Sequence, residues 1–85
     1  MNIDDAKKII QNEELENYCF FCKETSNEGE VVIEKDGHEW RVYANDERAT
    51  KTGEKIYKEE SEALQDFIDR IIGDKAMRMY FKSLL

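Results

Sequence analysis

Two short runs that alternate apolar and polar residues meet at Asp36-Gly37, and they are the clearest structural signal in the chain. An Asp-Gly pair between such runs predicts a β-hairpin with a two-residue turn, because both residues tolerate positive φ. The hairpin joins Glu30–Asp36 to His38–Ala44, with Ile33 facing Trp40 and Glu34 facing Glu39. The face predicted to turn inward carries Val31, Ile33, Trp40 and Val42. The other face carries Glu30, Val32, Glu34, Glu39, Arg41 and Tyr43.

Apolar residues at helical spacing predict helices towards both ends of the chain. Asn2 caps a first helix that runs to about Asn12. Ser61 caps a second helix that ends at Gly73, and a third helix starts at Asp74. The apolar residues of the three helices are Ile3, Ala6, Ile9 and Ile10, then Ala63, Leu64, Phe67, Ile68, Ile71 and Ile72, then Ala76, Met77, Tyr80, Phe81 and Leu84.

Two further runs complete a predicted sheet, with Tyr18–Lys23 as its first strand and Glu54–Lys58 as its fourth. The element order predicts an α+β fold: an N-terminal helix, a four-stranded antiparallel meander, and two C-terminal helices packed on one face of the sheet. The helices should cover the Trp40 face and leave the other face in solvent. Because 85 residues support one hydrophobic core, residues 1–85 are predicted to form a single domain.

Composition places the chain among folded soluble domains, since 40% of its residues are hydrophobic and 39% are charged. Its first residues lack the basic start and the long apolar run of a signal peptide. Its apolar runs fall short of the roughly 18 residues that a membrane span needs. We therefore expect a cytoplasmic protein that does not insert into a membrane.

The net charge of −7 is concentrated in one part of the chain. Residues 13–39 contain nine acidic residues against two lysines, whereas the segments on either side are balanced. Acidic surface repels nucleic acid and attracts basic partners, so direct nucleic-acid binding is not expected. Solubility alone would also explain an acidic domain. The concentration in 13–39 favours a basic protein partner.

The residues with reactive side chains do not form a catalytic constellation in the sequence. Cys19 and Cys22 have C-x-x-C spacing, but extended backbone would turn them to opposite faces, so we expect buried structural thiols. His38 stands alone beside the predicted turn and is expected to be exposed. With two cysteines and one histidine, the chain is short of the four ligands of a zinc site. We therefore predict no enzyme activity, no metal and no cofactor.

The charged face of the hairpin is the predicted site for a protein partner. Glu34 opposite Glu39 costs stability, which either a cationic partner or the neighbouring Arg41 would relieve. A loop after the hairpin adds Asp46-Glu47-Arg48, in which Arg48 can bind a carboxylate with two hydrogen bonds. The predicted partner-binding residues are Glu30, Glu34, Glu39, Arg41, Tyr43, Asp46, Glu47 and Arg48. A solvated polar face with no partner is the competing interpretation.

The last segment, Lys75–Leu85, carries basic residues among apolar ones, and two interpretations fit this pattern. A short helix that follows a core helix is expected to complete the core. The alternative is a small cytoplasmic regulatory module that dimerises through this end, because some of its apolar side chains would remain exposed. We expect a monomer, with the homodimer as the alternative.

Several short stretches together resemble the immunity protein 59 family of bacterial polymorphic toxin systems. They are Trp40–Tyr43, Asp46–Ala49, Ser61–Leu64 and Phe67–Arg70, within a span of about Tyr18–Ile72. The resemblance implies a small cytoplasmic protein that binds a cognate toxin domain and neutralises it by covering its active site or an essential surface. The family has no catalytic residues to carry over. If the toxin is a basic nuclease, its substrate channel would attract the acidic 13–39 segment.

Overall fold

Two helices and one four-stranded sheet make up the part of the chain that the computed structural model describes, residues 1–21, 29–45 and 51–84. In chain order the elements are α1 (Ile3–Asn12), β1 (Tyr18–Phe20), β2 (Val31–Asp36), β3 (Glu39–Asn45), β4 (Lys51–Tyr57) and α2 (Glu60–Leu84). The α+β class predicted from the sequence is confirmed.

The sheet is mixed, with strand order β1-β2-β3-β4, so the prediction of a fully antiparallel meander is wrong. β1 pairs with β2 in parallel, Tyr18 beside Val31, whereas the other two pairings are antiparallel. The apolar pattern locates strands but does not fix their direction, which is set by the connection between them. Here the connection leaves β1 through Phe21 (φ 58°) and reaches β2 through Gly29 (φ +77°).

The hairpin of β2 and β3 forms, but its turn lies one residue later than predicted. Asp36 pairs with Glu39, so Gly37 and His38 are the loop residues. Gly37 has φ +63°, and neither Asp36 nor His38 has positive φ. A two-residue loop with glycine first in this conformation matches a type II′ turn, which leaves Asp36 free to remain in the strand.

β4 contains an irregularity that brings it into contact with α2. Val42 pairs with Lys55 and Ala44 with Thr52, so Tyr43 opposes both Gly53 and Glu54. Gly53 has φ +62°, as expected for the first residue of a bulge of the glycine type. The bulge presents the Gly53 carbonyl to α2.

Both ends of α1 have well-defined caps. The Asn2 side chain accepts a hydrogen bond from the Asp5 amide (2.8 Å), and the Asp5 carboxylate accepts one from the Asn2 amide (3.2 Å). This capping box confirms the predicted helix start. At the other end, the Lys75 ammonium donates to the Glu13 carbonyl. A cation at this position is favoured by the helix dipole.

α2 is one continuous helix of 25 residues, so the predicted break at Gly73 is wrong. A glycine that ends a helix takes positive φ, and Gly73 does not. Ion pairs between residues four apart stabilise the helix on both sides of it, Asp66 with Arg70 (2.9 Å) and Asp74 with Arg78 (3.2 Å). The chain contains no proline that would stop the helix.

The start of α2 also differs from the predicted cap at Ser61. The helix begins at Glu60, which places Ser61 inside the first turn. The Ser61 hydroxyl instead accepts a hydrogen bond from the ammonium of Met1 (3.1 Å), and this contact links the two helices.

The core lies between one face of the sheet and the two helices. The predicted inward residues of the hairpin, Val31, Ile33, Trp40 and Val42, are all buried there. α2 contributes Ala63, Leu64, Phe67, Ile68 and Ile71, and the N-terminal segment contributes Ala6, Ile10 and Leu15. The ring centroid of Phe67 lies 4.9 Å from that of Phe20 and 6.5 Å from that of Tyr18. This aromatic cluster holds β1 against the long helix.

Candidate functional site

The hairpin face predicted to stay in solvent is partly buried, which corrects the expectation of a wet face. Val32 is fully buried and Tyr43 and Glu34 nearly so, with 1% and 7% of their surface exposed. The long side chains on this face cover one another, because the Lys51 ammonium lies 4.7 Å from the centroid of the Tyr43 ring. Among the described residues of the predicted site, those at its margins are therefore the ones open to a partner.

Glu34 and Tyr43 form a buried polar pair at the centre of this face. The Tyr43 hydroxyl donates a hydrogen bond to Glu34 Oε1 at 2.6 Å. A short hydrogen bond to a carboxylate is among the stronger polar contacts in a protein, and it satisfies a charge that would be costly to bury alone. The pair fixes β2 against β3 and leaves both side chains out of reach of a partner.

The observed register removes the expected repulsion between Glu34 and Glu39. Glu34 lies opposite Arg41, and Glu39 lies opposite Asp36. Arg41 Nη2 lies 3.4 Å from Asp36 Oδ2, a pair formed diagonally across the two strands. The argument that Glu34 needs a cationic partner for relief is therefore wrong, whereas Glu39 still has an acidic residue, Asp36, opposite it. Arg41 Nε is buried and makes no hydrogen bond within the described residues.

The accessible members of the predicted site are few. Glu39 is exposed, the Arg41 side chain is 32% exposed, and Glu30 is half-buried at the far end of the hairpin. The last three predicted site residues, Asp46, Glu47 and Arg48, lie outside the described residues. Of the predicted site residues that the structure describes, Glu39 and Arg41 are thus the ones accessible near the turn of the hairpin.

The exposed acidic residues of 13–39 that the structure describes lie mainly in two places rather than in one patch. Glu13, Glu14 and Glu16 are exposed after α1, where the neighbouring Asn17 carbonyl accepts a hydrogen bond from the Val31 amide (2.9 Å). That contact lies at the start of β2, whereas Asp36 and Glu39 lie at its end. Six strand residues separate the two groups by about 20 Å. Part of the charge is neutralised, since Arg78 lies 3.1 Å from Glu16.

A second acidic surface, which was not predicted from the sequence, lies between β4 and α2. It is an open groove of about 500 Å³ lined by Tyr57, Ser61, Glu62, Gln65, Asp66 and Asp69. Glu62, Asp66 and Asp69 follow the spacing of one helix face, a signal that is readable in the sequence. The groove itself depends on β4 packing beside the helix, which the spacing alone does not indicate.

One wall of this groove is a hydrogen-bonded chain that begins at the bulge. Arg70 Nη2 donates to the Gly53 carbonyl (2.8 Å), and Arg70 Nε donates to Asp66 Oδ1 (2.9 Å). The Tyr57 hydroxyl donates to the other oxygen of the same carboxylate, Asp66 Oδ2 (2.7 Å). Asp66 is therefore held in place by partners on β4 and on its own helix.

The hydrogen bond to Asp66 raises the pKa of Tyr57 above its ordinary value of 10.0, and desolvation and the negative charge of Asp66 act in the same direction. We therefore expect Tyr57→Phe to remove a transition above pH 10 from the spectrophotometric titration of the tyrosines. Because the folded-state pKa is raised, this contact stabilises the fold below about pH 10 and loses its contribution as the pH rises through the folded pKa.

Asp66→Asn is the matched variant for this titration, since it keeps the phenol and removes the anionic acceptor. The transition of Tyr57 should then move to lower pH. Identical titration curves for the wild type and Tyr57→Phe above pH 10 would contradict the assignment.

Cys19 differs from the expectation of a free structural thiol. It lies half-buried in β1 and is disulfide-bonded. The predicted separation of the two cysteines to opposite faces assumed a strand through Lys23, but β1 ends at Phe20 and Phe21 takes positive φ. Cys22 lies outside the described residues. His38 is exposed in the hairpin turn, as predicted.

Comparison with known proteins adds no further assignment to this geometry. No family model, no curated protein and no solved structure matches the chain. Within residues 1–21, 29–45 and 51–84, the acidic, cysteine and histidine side chains form no group of three placed to hold a metal ion. Neither helix in this part of the chain combines the length and the apolar character needed to cross a membrane.

Proposed function

We propose that this protein is an immunity protein, which binds a cognate bacterial toxin domain and neutralises it by covering its active site or another essential surface. The observation that carries the proposal is the negative charge of residues 13–39, with nine acidic residues against two lysines. The resemblance of Trp40–Tyr43 and Ser61–Leu64 to the immunity protein 59 family points to the same function. An inhibitor of this kind acts by occupying a surface and needs no catalytic group.

The charge distribution favours a toxin with a cationic surface, such as the substrate channel of a nuclease. Glu13 and Glu14 at one end of β2 and Glu39 at the other present negative charge over about 20 Å. Electrostatic steering depends on the summed field of such a surface rather than on one ion pair. Association should therefore be fast at low salt and should slow as the ionic strength rises.

The turn end of the hairpin is the proposed contact point. Glu39 and Arg41 project from β3, which the buried pair of Glu34 and Tyr43 holds against β2, so their positions are fixed before a partner arrives. The Arg41 side chain is 32% exposed, so the exposed part of its guanidinium can bind a carboxylate on the partner. The contribution of Asp46–Arg48 stays a prediction.

Co-expression tests the function directly. We expect the neighbouring reading frame to encode a toxin domain that stops growth when expressed alone, and co-expression of this protein should restore growth. The purified chains should then elute together in size-exclusion chromatography. Continued toxicity together with separate elution would overturn the proposed function.

Charge reversal at Glu39 tests the contact point. At low salt, Glu39→Lys should lower the association rate constant with that toxin domain by roughly 3- to 10-fold, and the difference should shrink as salt is added. Stopped-flow measurements at several salt concentrations would measure both effects. Glu62→Lys is the matched control, because it makes the same change of charge on α2, which covers the opposite face of the sheet.

The two variants separate a site from a general charge effect. Equal slowing by both would mean that only the net charge matters. An unchanged rate for Glu39→Lys would place the contact elsewhere on the surface, while restored growth would still support the function.

A further inference from the structure

The second half of α2 exposes a set of apolar side chains that were expected to complete the core. Met77, Tyr80, Phe81 and Leu84 have exposed fractions between 58% and 64%. Their spacing of three, four and seven residues places them on one side of the helix. We refer to these four residues as the C-terminal stripe. Single exposed apolar residues are ordinary, but a contiguous stripe marks an interaction surface.

The C-terminal stripe points away from the core because the apolar side of α2 changes along its length. An α-helix turns by about 100° per residue. The stripe therefore lies roughly 120° around the helix axis from the buried residues of α2, such as Leu64, Phe67 and Ile71. Lys75 and Arg78 lie instead on the side that continues the core residues. They donate to the Glu13 carbonyl and the Glu16 carboxylate, and these contacts fix how the helix is rotated.

We infer that the C-terminal stripe is the contact surface of a homodimer, in which a second copy of this chain pairs its own stripe in the antiparallel direction. Reversal of the helix places Met77 against Leu84 and Tyr80 against Phe81, so the stripe is complementary to itself, as a two-fold interface requires. The rings of Tyr80 and Phe81 already form an edge-to-face pair, with centroids 5.8 Å apart. Two copies would join these pairs into a cluster of four rings.

The area of the stripe is sufficient for a specific dimer. Four large side chains, each about 60% exposed, offer roughly 500 Å² per copy, or about 1,000 Å² in total. This value lies at the lower limit for a specific interface, so the dimer should be in exchange with the monomer. The surface needed is present without any rearrangement of the fold.

The placement of charge favours a second copy over a membrane surface. A helix that lies on a membrane uses the Lys and Arg of its polar face to contact anionic lipid. Here Lys75, Arg78 and Lys82 lie on the opposite side from the stripe, but Lys75 and Arg78 already donate to the Glu13 carbonyl and the Glu16 carboxylate, and the chain as a whole carries −7. The same arrangement keeps like charges apart when two stripes meet, and it leaves the contact itself free of charged residues, as in the centre of homodimer interfaces.

The mass of the full-length protein in solution tests the inference. Sedimentation velocity, at concentrations up to about 500 µM, should show reversible conversion from monomer to dimer. Met77→Glu should raise the dissociation constant by about 100-fold or more, because each dimer would then bury two carboxylates at the contact. Met79→Glu is a closely matched control, since Met79 is also 61% exposed but lies on the other side of the helix.

Each outcome bears on the inference. A dimer that survives Met79→Glu but not Met77→Glu supports it, provided that circular dichroism shows both variants to be folded. A wild type that stays monomeric at the highest concentration would overturn it, as would equal effects of the two substitutions. A monomer that binds vesicles of zwitterionic or anionic lipid would assign the stripe to a membrane instead. The test does not involve the toxin, so it is independent of the proposed function.

Discussion

Replacing Phe67 by alanine should lower the free energy of unfolding by about 3–5 kcal/mol, a large part of the stability of a domain of this size. Phe67 has no exposed surface and contacts the rings of Tyr18 and Phe20. The substitution leaves a cavity where α2 holds β1, and only part of it can close. Denaturation by urea, followed by circular dichroism, would measure the loss.

Phe81→Ala is the matched control for this experiment. It makes the same substitution in the same helix, at a residue that is 58% exposed. Measured at a concentration where the protein is monomeric, it should change the free energy of unfolding by less than about 1 kcal/mol. Equal losses for the two variants would contradict the assignment of Phe67 to the core and of Phe81 to the surface.

Glu34→Lys should lower the free energy of unfolding by about 3–5 kcal/mol, whereas Glu39→Lys should change it by less than about 0.5 kcal/mol. Glu34 is 7% exposed and accepts the hydrogen bond of Tyr43. A lysine there would bury a new positive charge opposite Arg41 and leave the Tyr43 hydroxyl without its acceptor. Glu39 is exposed near the turn, where a lysine side chain stays in water.

Urea titrations of the two variants, made side by side, would measure this difference. A small effect of Glu34→Lys would mean that this face of the sheet opens readily. The comparison also determines how binding measurements on the two variants are interpreted. A loss of binding in Glu34→Lys would reflect unfolding, whereas a loss of binding in the stable variant Glu39→Lys would reflect the contact itself.

The hairpin shows how far an alternating pattern can predict structure. The observed register differs from the predicted one by two residues, since Ile33 faces Val42 rather than Trp40. Side chains in a strand alternate with a period of two, so an even shift leaves every residue on its predicted face. The core was therefore predictable even though the cross-strand partners were not. The partners depend on the turn, which needs positive φ only at Gly37.

The burial of the other hairpin face could not be predicted from the same pattern. Glu34 and Arg41 indicated a solvated surface, but long side chains from neighbouring strands cover one another there. Lys51 lies over the Tyr43 ring only because β4 pairs beside β3. The alternating pattern describes one strand at a time, so it does not predict a contact between side chains of two neighbouring strands. As a result, the central residues of the predicted partner site, Glu34 and Tyr43, are buried, whereas Glu39 and Arg41 near the turn stay accessible.

The helices illustrate a similar limit. The apolar spacing placed five residues of α2 in the core correctly, Ala63, Leu64, Phe67, Ile68 and Ile71. It was wrong for Ile72 and for the apolar residues after Gly73, which are exposed, and the predicted end of the helix at Gly73 is also wrong. Gly73 has helical neighbours on both sides, and the ion pair between Asp74 and Arg78 continues the helix beyond it. Spacing also does not indicate how the helix is rotated about its axis. That rotation depends on Lys75 and Arg78, which contact residues of the connector after α1.

The contacts that hold the N-terminal segment against α2 also bear on the order of folding. Met1 with Ser61 and Lys75 with Glu13 join residues 60 and 62 positions apart. Closing such long loops has a high entropic cost, whereas the β2–β3 hairpin closes across two residues. We expect the hairpin to form early and α1 to dock last. In the native protein, α1 would correspondingly be the first element to detach, which would uncover the core beneath Ala6 and Ile10 while the hairpin stays paired.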